Sequence, residues 1–217
     1  IFKGTGDPGF LYAEFDAKNT LDFLRNSDKK LFLLSPGFTE KRFGPGWAWD
    51  DYNDYYSAER NAFPLYGNVV EFRFKNGQNL PNSYPVIFKD SISTETIKDL
   101  GLGVYRDIDS NVFRLKNIKR KEDATRAVPF ITSEFTSAKL LSDTLQKEVM
   151  LLQQNPKNLA LDRIIYNTSS DSLYKKMLQD SDNFIAEQLL MVAAGEISDT
   201  LKTAIAIDYS QKNLLSD

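Results

Sequence analysis

The stretch Asp180-Ser181-Asp182-Asn183-Phe184-Ile185-Ala186-Glu187-Gln188-Leu189-Leu190-Met191 decides how the C-terminal third of this chain is read. Four short polar residues that favour caps and turns are followed at once by a largely apolar run. That is the signature of one helix stopping and another starting. The spacing therefore predicts helix from Leu173 to Ala194, broken at Asp180-Ser181-Asp182-Asn183. Capping is the default reading of Ser181-Asp182-Asn183. As a bare cap, Ser181→Ala would cost about 1 kcal/mol and nothing else. The other reading is chemical: a hydroxyl that relays a proton beside an amide that can donate and accept at once, both at the head of a rigid helix.

Working back along the chain, Asn167-Thr168-Ser169-Ser170-Asp171 is a polar joint, and Leu161–Tyr166 reads as a strand. Phe135, Leu140, Leu141, Leu145 and Val149 recur about every four residues, as on one face of a helix. Before about residue 132 the pattern changes to strands and turns. Val69–Phe74 reads as a strand running into the Asn76-Gly77 turn, and Val86-Ile87-Phe88 is a second short apolar run. Val104-Tyr105-Arg106 and Val112–Leu115 flank Asp107–Asn111 as a hairpin.

Composition narrows the chemistry. The 217 residues contain no histidine and no cysteine, and carry a formal net charge of −3. Within this chain that excludes histidine-based triads, thiol chemistry, disulfides and ordinary zinc or iron–sulfur sites. Serine or threonine with a lysine or carboxylate base remains open, as do carboxylate pairs and oxygen-ligated metals. The charge argues against binding nucleic acid through a basic surface. No apolar run approaches the roughly 18 residues of a membrane helix. The chain opens at Ile1 within an apparent strand and closes after Asn213-Leu214-Leu215-Ser216 with no terminating helix or strand expected, which fits an excised or processed piece of a longer protein.

Several motifs lose to plainer readings. Gly4-Thr5-Gly6-Asp7-Pro8-Gly9 has dinucleotide-loop spacing, but Pro8 lacks an N–H for a phosphate and Asp7 would repel one, so it reads as a turn ending a strand. Asp107, Asp109 and Asn111 begin a calcium-loop spacing that fails at Val112 and Ile118. Ser27-Asp28-Lys29-Lys30 and Ser172-Leu173-Tyr174-Lys175 have Ser-x-x-Lys spacing, but with 17 Ser and 18 Lys in 217 residues about one or two such matches arise by chance. Phe43-Gly44-Pro45-Gly46-Trp47-Ala48-Trp49-Asp50-Asp51 holds both tryptophans between glycines and acids. It is either a loop pinned by buried indoles or a rim offering aromatic walls and a carboxylate to a polar ligand.

Taken together, four segments resemble the D-alanyl-D-alanine carboxypeptidases of peptidase family S13, class C penicillin-binding proteins of the penicillin-binding protein 4 type. In the family's order they are Gly4–Pro8, Gly44–Asp51, Tyr55–Ala58 with Asn68-Val69-Val70, and Ser181–Glu187. The resemblance implies an α+β fold: a β-rich inserted region over 1–165, then, over 166–217, the helical part of an incomplete serine β-lactamase/transpeptidase-like domain. It implies an acyl-enzyme mechanism with Ser181 as proton relay and Asn183 as the amide contacting substrate and lysine. Asp51 would face the cationic end of a peptidoglycan stem peptide. No cofactor or metal is implied, and the setting is extracytoplasmic. β-Lactams would react with the intact protein. The nucleophile motif would precede Ile1. Lys202-Thr203-Ala204 is not the family's Lys-Thr-Gly, which would follow Asp217. The piece alone is expected to be inactive, to expose an apolar helix face over 170–200, and to self-associate or repack there. A non-catalytic peptidoglycan-binding module is the rival expectation.

Overall fold

The structure, a computed structural model, describes residues 1–35, 38–48, 50–94, 103–115, 121–156, 159, 163–198 and 200–215. Along the chain lie α1 (Lys18–Asn26), β1 (Leu31–Leu34), β2 (Val69–Phe74), β3 (Asn82–Tyr84), β4 (Ile92–Thr94), β5 (Val104–Arg106), β6 (Phe113–Leu115), β7 (Ala124–Pro129), α2 (Glu134–Leu145), β8 (Val149–Leu152), α3 (Ser170–Asp180), α4 (Asn183–Ser198) and α5 (Thr203–Asn213). The fold class is α+β, as expected. The chain divides into two compact units: Ile1–Gly44 with Arg60–Gly67 and Thr132–Asp217, and Pro45–Glu59 with Asn68–Ile131. These edges cut the chain differently from the 165/166 division, which concerns position relative to catalytic motifs.

In the first unit β1 and β8 pair in parallel, Leu31 opposite Val149 and Leu34 opposite Leu152. Phe2 adds a parallel bridge to Leu33. The helix α2 leads directly into β8. Ser133 caps its start by accepting from Thr136 N–H. Gln146 ends it in the left-handed region, and the Ser142 hydroxyl then accepts from Val149 N–H at 2.9 Å, turning the chain into the strand. The predicted helical stripe is thus cut at Leu145, and Val149 is a strand residue. Leu140, Leu141, Leu145 and Val149 are buried with Leu31, Leu33 and Leu34, but Phe135 is 70% exposed.

In the second unit the strands form two sheets, β3-β2-β7 and β4-β6-β5. The alternation in β2 places Val70, Phe72 and Phe74 inside, and β2 pairs antiparallel with β7, Val69 opposite Pro129. The predicted 104–115 hairpin is present, with β5 antiparallel to β6. Phe72, Phe88, Phe113 and Phe130 form a cluster of tilted and edge-to-face rings, the Phe72–Phe113 centroids 5.0 Å apart. A buried ion pair sits in this unit. Arg106 Nη2 lies 4.0 Å from Glu59 Oε1, and both side chains are 0% exposed. Arg106 also donates to the carbonyls of Pro129, Asp107 and Ile108.

Three local expectations are corrected. The short apolar run Val86-Ile87-Phe88, read within a pattern of strands and turns, opens a 3-10 turn over Val86–Ser91. Residues 163–166 have no strand pairing, and Leu161 and Asp162 lie outside the described residues. The region before 132 also contains a helix, α1, whose start is capped from far away: Asn167 accepts from Thr20 N–H at 3.0 Å and donates to the Thr20 hydroxyl. Its nine residues bury only Leu24.

Candidate functional site

The break expected at 180–183 is present, and it is built from three side chains with different jobs. The helix α3 stops at Asp180, and Ser181 turns left-handed, φ 53°. The N–H of Asp182 donates back to Met177 carbonyl at 3.1 Å, closing the end of α3. The new helix is capped by Asp182, whose Oδ1 accepts from Ile185 N–H at 2.9 Å. The cap is therefore the middle residue, not Ser181. Asp182 Oδ2 accepts the Tyr12 hydroxyl at 2.6 Å. With Asp182 turned inward, its neighbours Ser181 and Asn183 are both exposed.

The helix α4 is fixed by polar groups in an otherwise apolar face. Phe184, Ile185, Met191 and Ala194 are buried, and so is Gln188, at 0% exposure. Gln188 Nε2 donates to the carbonyls of Gly6 and Asn61, both at 2.9 Å, and its Oε1 accepts from Asn61 N–H at 3.0 Å. The glycine segment works by closeness. A Cβ on Gly4 would lie 2.2 Å from the Ala62 carbonyl oxygen, and one on Gly9 would lie 2.5 Å from the Thr168 hydroxyl. Asp7 Oδ1 accepts from Gly9 N–H at 2.8 Å. Burial pushes the Asp7 carboxyl up, against the lowering effect of that N–H.

Arg60 ties α4 to α5. Its Nη1 lies 3.3 Å from Glu187 Oε2 and 3.6 Å from Glu40 Oε2, while its Nε and Nη2 donate to the carbonyls of Lys41 and Phe43. Glu40 accepts from both the hydroxyl and the N–H of Thr203. Burial alone would raise the Glu40 carboxyl; the Thr203 donors and Arg60 outweigh it and hold the group below its usual range. Thr203 of Lys202-Thr203-Ala204 is thus a buried structural group.

Asp51 belongs to the second unit. It opens the 3-10 turn Asp51–Asn53, where its N–H donates to Ala48 carbonyl and its carbonyl accepts from Asp54 N–H. The following turn sets Tyr56 beside Trp47, rings stacked at 6.3 Å and 17°. Desolvation, then the charges of Asp54 and Asp51, push the Tyr56 phenol up. Tyr55 is exposed. The loop is anchored by Asn53, which exchanges hydrogen bonds with the Arg106 backbone at 2.9 and 3.1 Å. Of the indoles, Trp47 is half-buried, and Trp49 lies outside the described residues.

The two Ser-x-x-Lys spacings have local roles. The Ser169 hydroxyl caps α3 by accepting from Ser172 N–H, and the Ser27 hydroxyl accepts from Lys29 N–H. Among the described residues, no group of three or more acidic side chains is arranged to hold a metal ion. No helix among them is long and apolar enough to cross a membrane. Sequence reasoning missed Tyr12, Arg60 and Gln188. Only Gln188 left a signal, as a lone amide inside an apolar helix face.

The arrangement of strands and helices is similar to part of a solved penicillin-binding protein structure. The chain is similar to penicillin binding protein 4 (DacB) from Haemophilus influenzae, with TM-score 0.65, 19% identity, and coverage of 98% of this chain and 52% of that one. It is also similar to that protein complexed with a novel β-lactam, with TM-score 0.52, 17% identity, and coverage of 98% and 51%. At these identities the likeness is one of fold, and the chain spans about half the length of the solved structures it matches. No family model and no curated protein sequence matches the chain.

Proposed function

We propose that this chain is part of a serine-type D-Ala-D-Ala carboxypeptidase that acts on peptidoglycan stem peptides outside the cytoplasm. Its residues 1–165 are the region inserted between the first and second catalytic motifs, and 166–217 the return into the transpeptidase domain. One observation carries the reading: at the head of α4, Asp182 is held inward while Ser181 and Asn183 on either side are exposed. A bare cap needs only the Asp182 carboxylate. It leaves an exposed hydroxyl and an exposed amide two residues apart without a structural task.

In this mechanism a serine outside the chain, with a lysine base in its Ser-x-x-Lys motif, attacks the penultimate D-Ala carbonyl. The Ser181 hydroxyl accepts a proton from the lysine side and passes one to the departing D-Ala amine. Asn183 donates to the substrate through Nδ2 and accepts from the lysine through Oδ1. Backbone donors stabilise the oxyanion, water releases the acyl group, and β-lactams acylate the same serine. Asp51, in its aromatic loop, faces the cationic end of the stem peptide.

The test is labelling with a fluorescent penicillin. The 217-residue chain should stay unlabelled, because it lacks the nucleophile. The full-length protein should label, and Ser181→Ala should slow labelling by roughly 10²–10⁴-fold. Wild-type labelling of Ser181→Ala would refute the assignment. The exposed Tyr55 and the acids around Trp47 favour a second reading, a non-catalytic peptidoglycan-binding module. In that case the isolated chain binds soluble muropeptides, Asp51→Ala weakens the binding, and no penicillin labels the full-length protein.

A further inference from the structure

We propose that Tyr12 is a positioning residue for Ser181 and Asn183, acting through Asp182. The inference rests on the functional reading of those two side chains given above.

Asp182 has two oxygens and two donors on them. Ile185 N–H holds Oδ1 at 2.9 Å, and the Tyr12 hydroxyl holds Oδ2 at 2.6 Å. The first contact lies within the helix and moves with it. The second comes from 170 positions away in the sequence and ties the turn to a different part of the unit. The turn backbone is closed locally, with Ser181 at φ 53° and Asp182 N–H on the Met177 carbonyl, and the Tyr12 hydroxyl holds the Asp182 carboxylate from outside the two helices. Without the Tyr12 contact the head of α4 loses its tie to the segment around Tyr12, and the backbone that carries Ser181 and Asn183 gains freedom to shift.

Tyr12 is built to be a fixed point. Its ring meets Phe15 and Phe184 edge-on, at 5.7 and 6.2 Å between centroids. Gly67, at φ 63°, lets the backbone approach: a Cβ there would sit 3.0 Å from the ring. Lys176 Nζ lies 5.4 Å from the ring centroid and is itself held by Glu14 and Asp180, each at 2.9 Å. Burial, then the hydrogen bond to Asp182, pushes the phenol far above its ordinary value, so it remains a donor at any working pH. A hydroxyl locked by three aromatic and cationic neighbours and aimed at the residue between the two exposed site groups controls a direction as well as a stability.

The experiment measures penicillin acylation and thermal unfolding of the full-length protein for wild type, Ser181→Ala, Tyr12→Phe, Asp182→Ser and the double variant. Tyr12→Phe removes only the hydroxyl. Asp182→Ser keeps a capping oxygen and removes the one facing Tyr12. The expected result is a fall in acylation rate of roughly ten- to a hundredfold in each single variant. The double variant should be no slower than Asp182→Ser alone, as for two groups acting through one contact. The melting temperature should shift by only a few degrees. Should Tyr12→Phe fail to fold, Asp182→Ser carries the same expectation. Slow acylation in Ser181→Ala with wild-type rates in Tyr12→Phe and Asp182→Ser overturns this inference alone. A wild-type rate in Ser181→Ala overturns the functional reading and the inference with it.

Discussion

Gln188→Met tests whether α4 is held by its one buried amide. Methionine matches glutamine in length and flexibility, so the substitution leaves little cavity and isolates the polar loss. Three buried backbone groups lose their partner: Asn61 N–H, Asn61 carbonyl and Gly6 carbonyl. A buried group left unsatisfied costs about 1–3 kcal/mol, carbonyls with a second lone pair less than an N–H. The sum is about 3–5 kcal/mol, against a total stability of about 5–15 kcal/mol for a domain. For a chain of this size each kcal/mol lowers the melting temperature by about 2–4 °C, so the fall should be roughly 6–20 °C. Circular dichroism of the 217-residue chain during heating, with urea midpoints alongside, measures it. A loss under about 1 kcal/mol would refute the reasoning, because the Gly6 and Asn61 groups would then have other partners within reach.

Two further outcomes follow from the same unit. Asp182→Ala should cost about 1–2 kcal/mol, the worth of an N-cap, while Ser181→Ala should stay within about 0.5 kcal/mol; equal losses in urea denaturation would return the cap to Ser181. Glu40 is held below its ordinary value of 4.5 in the folded chain, so its contribution is complete above that value and is lost as pH falls through the lowered folded value. Glu40→Gln should therefore flatten the acid limb of the stability curve below about pH 4.5, and an unchanged limb in urea titrations would remove Glu40 from the network.

Much of the local structure was legible from residue types. The alternation Val69–Phe74 gave a strand with one buried face, and Asn76-Gly77 gave its turn, because a period of two and a positive-φ residue are properties of neighbouring residues. The helices α3 and α4 and their break came from the polar cluster at 180–183 and the apolar run behind it, whereas α5 lies at a chain end read as having no terminating helix. The helix α1 was missed: Asp16 accepts from Lys18 N–H at its start, while Asn167, which accepts from Thr20 N–H, lies 147 positions away. The expected apolar face over 170–200 is limited: α3 exposes Tyr174 and Leu178, the latter 73% exposed, while the apolar residues of α4 include Phe184, Ile185 and Met191 turned inside.

By itself the sequence determined the absence of histidine and cysteine chemistry in this chain, the α+β character, and the place where Ser181, Asp182 and Asn183 interrupt the helices. Only the tertiary structure decided which of those three residues is structural. That choice depends on Tyr12, 170 positions away, and on Gln188 reaching Gly6 across 182 positions. Local periodicity records the environment of a residue's near neighbours. A hydrogen bond between distant segments leaves no period, so the inward turn of Asp182, and with it the exposure of Ser181 and Asn183, exists only once the chain has folded.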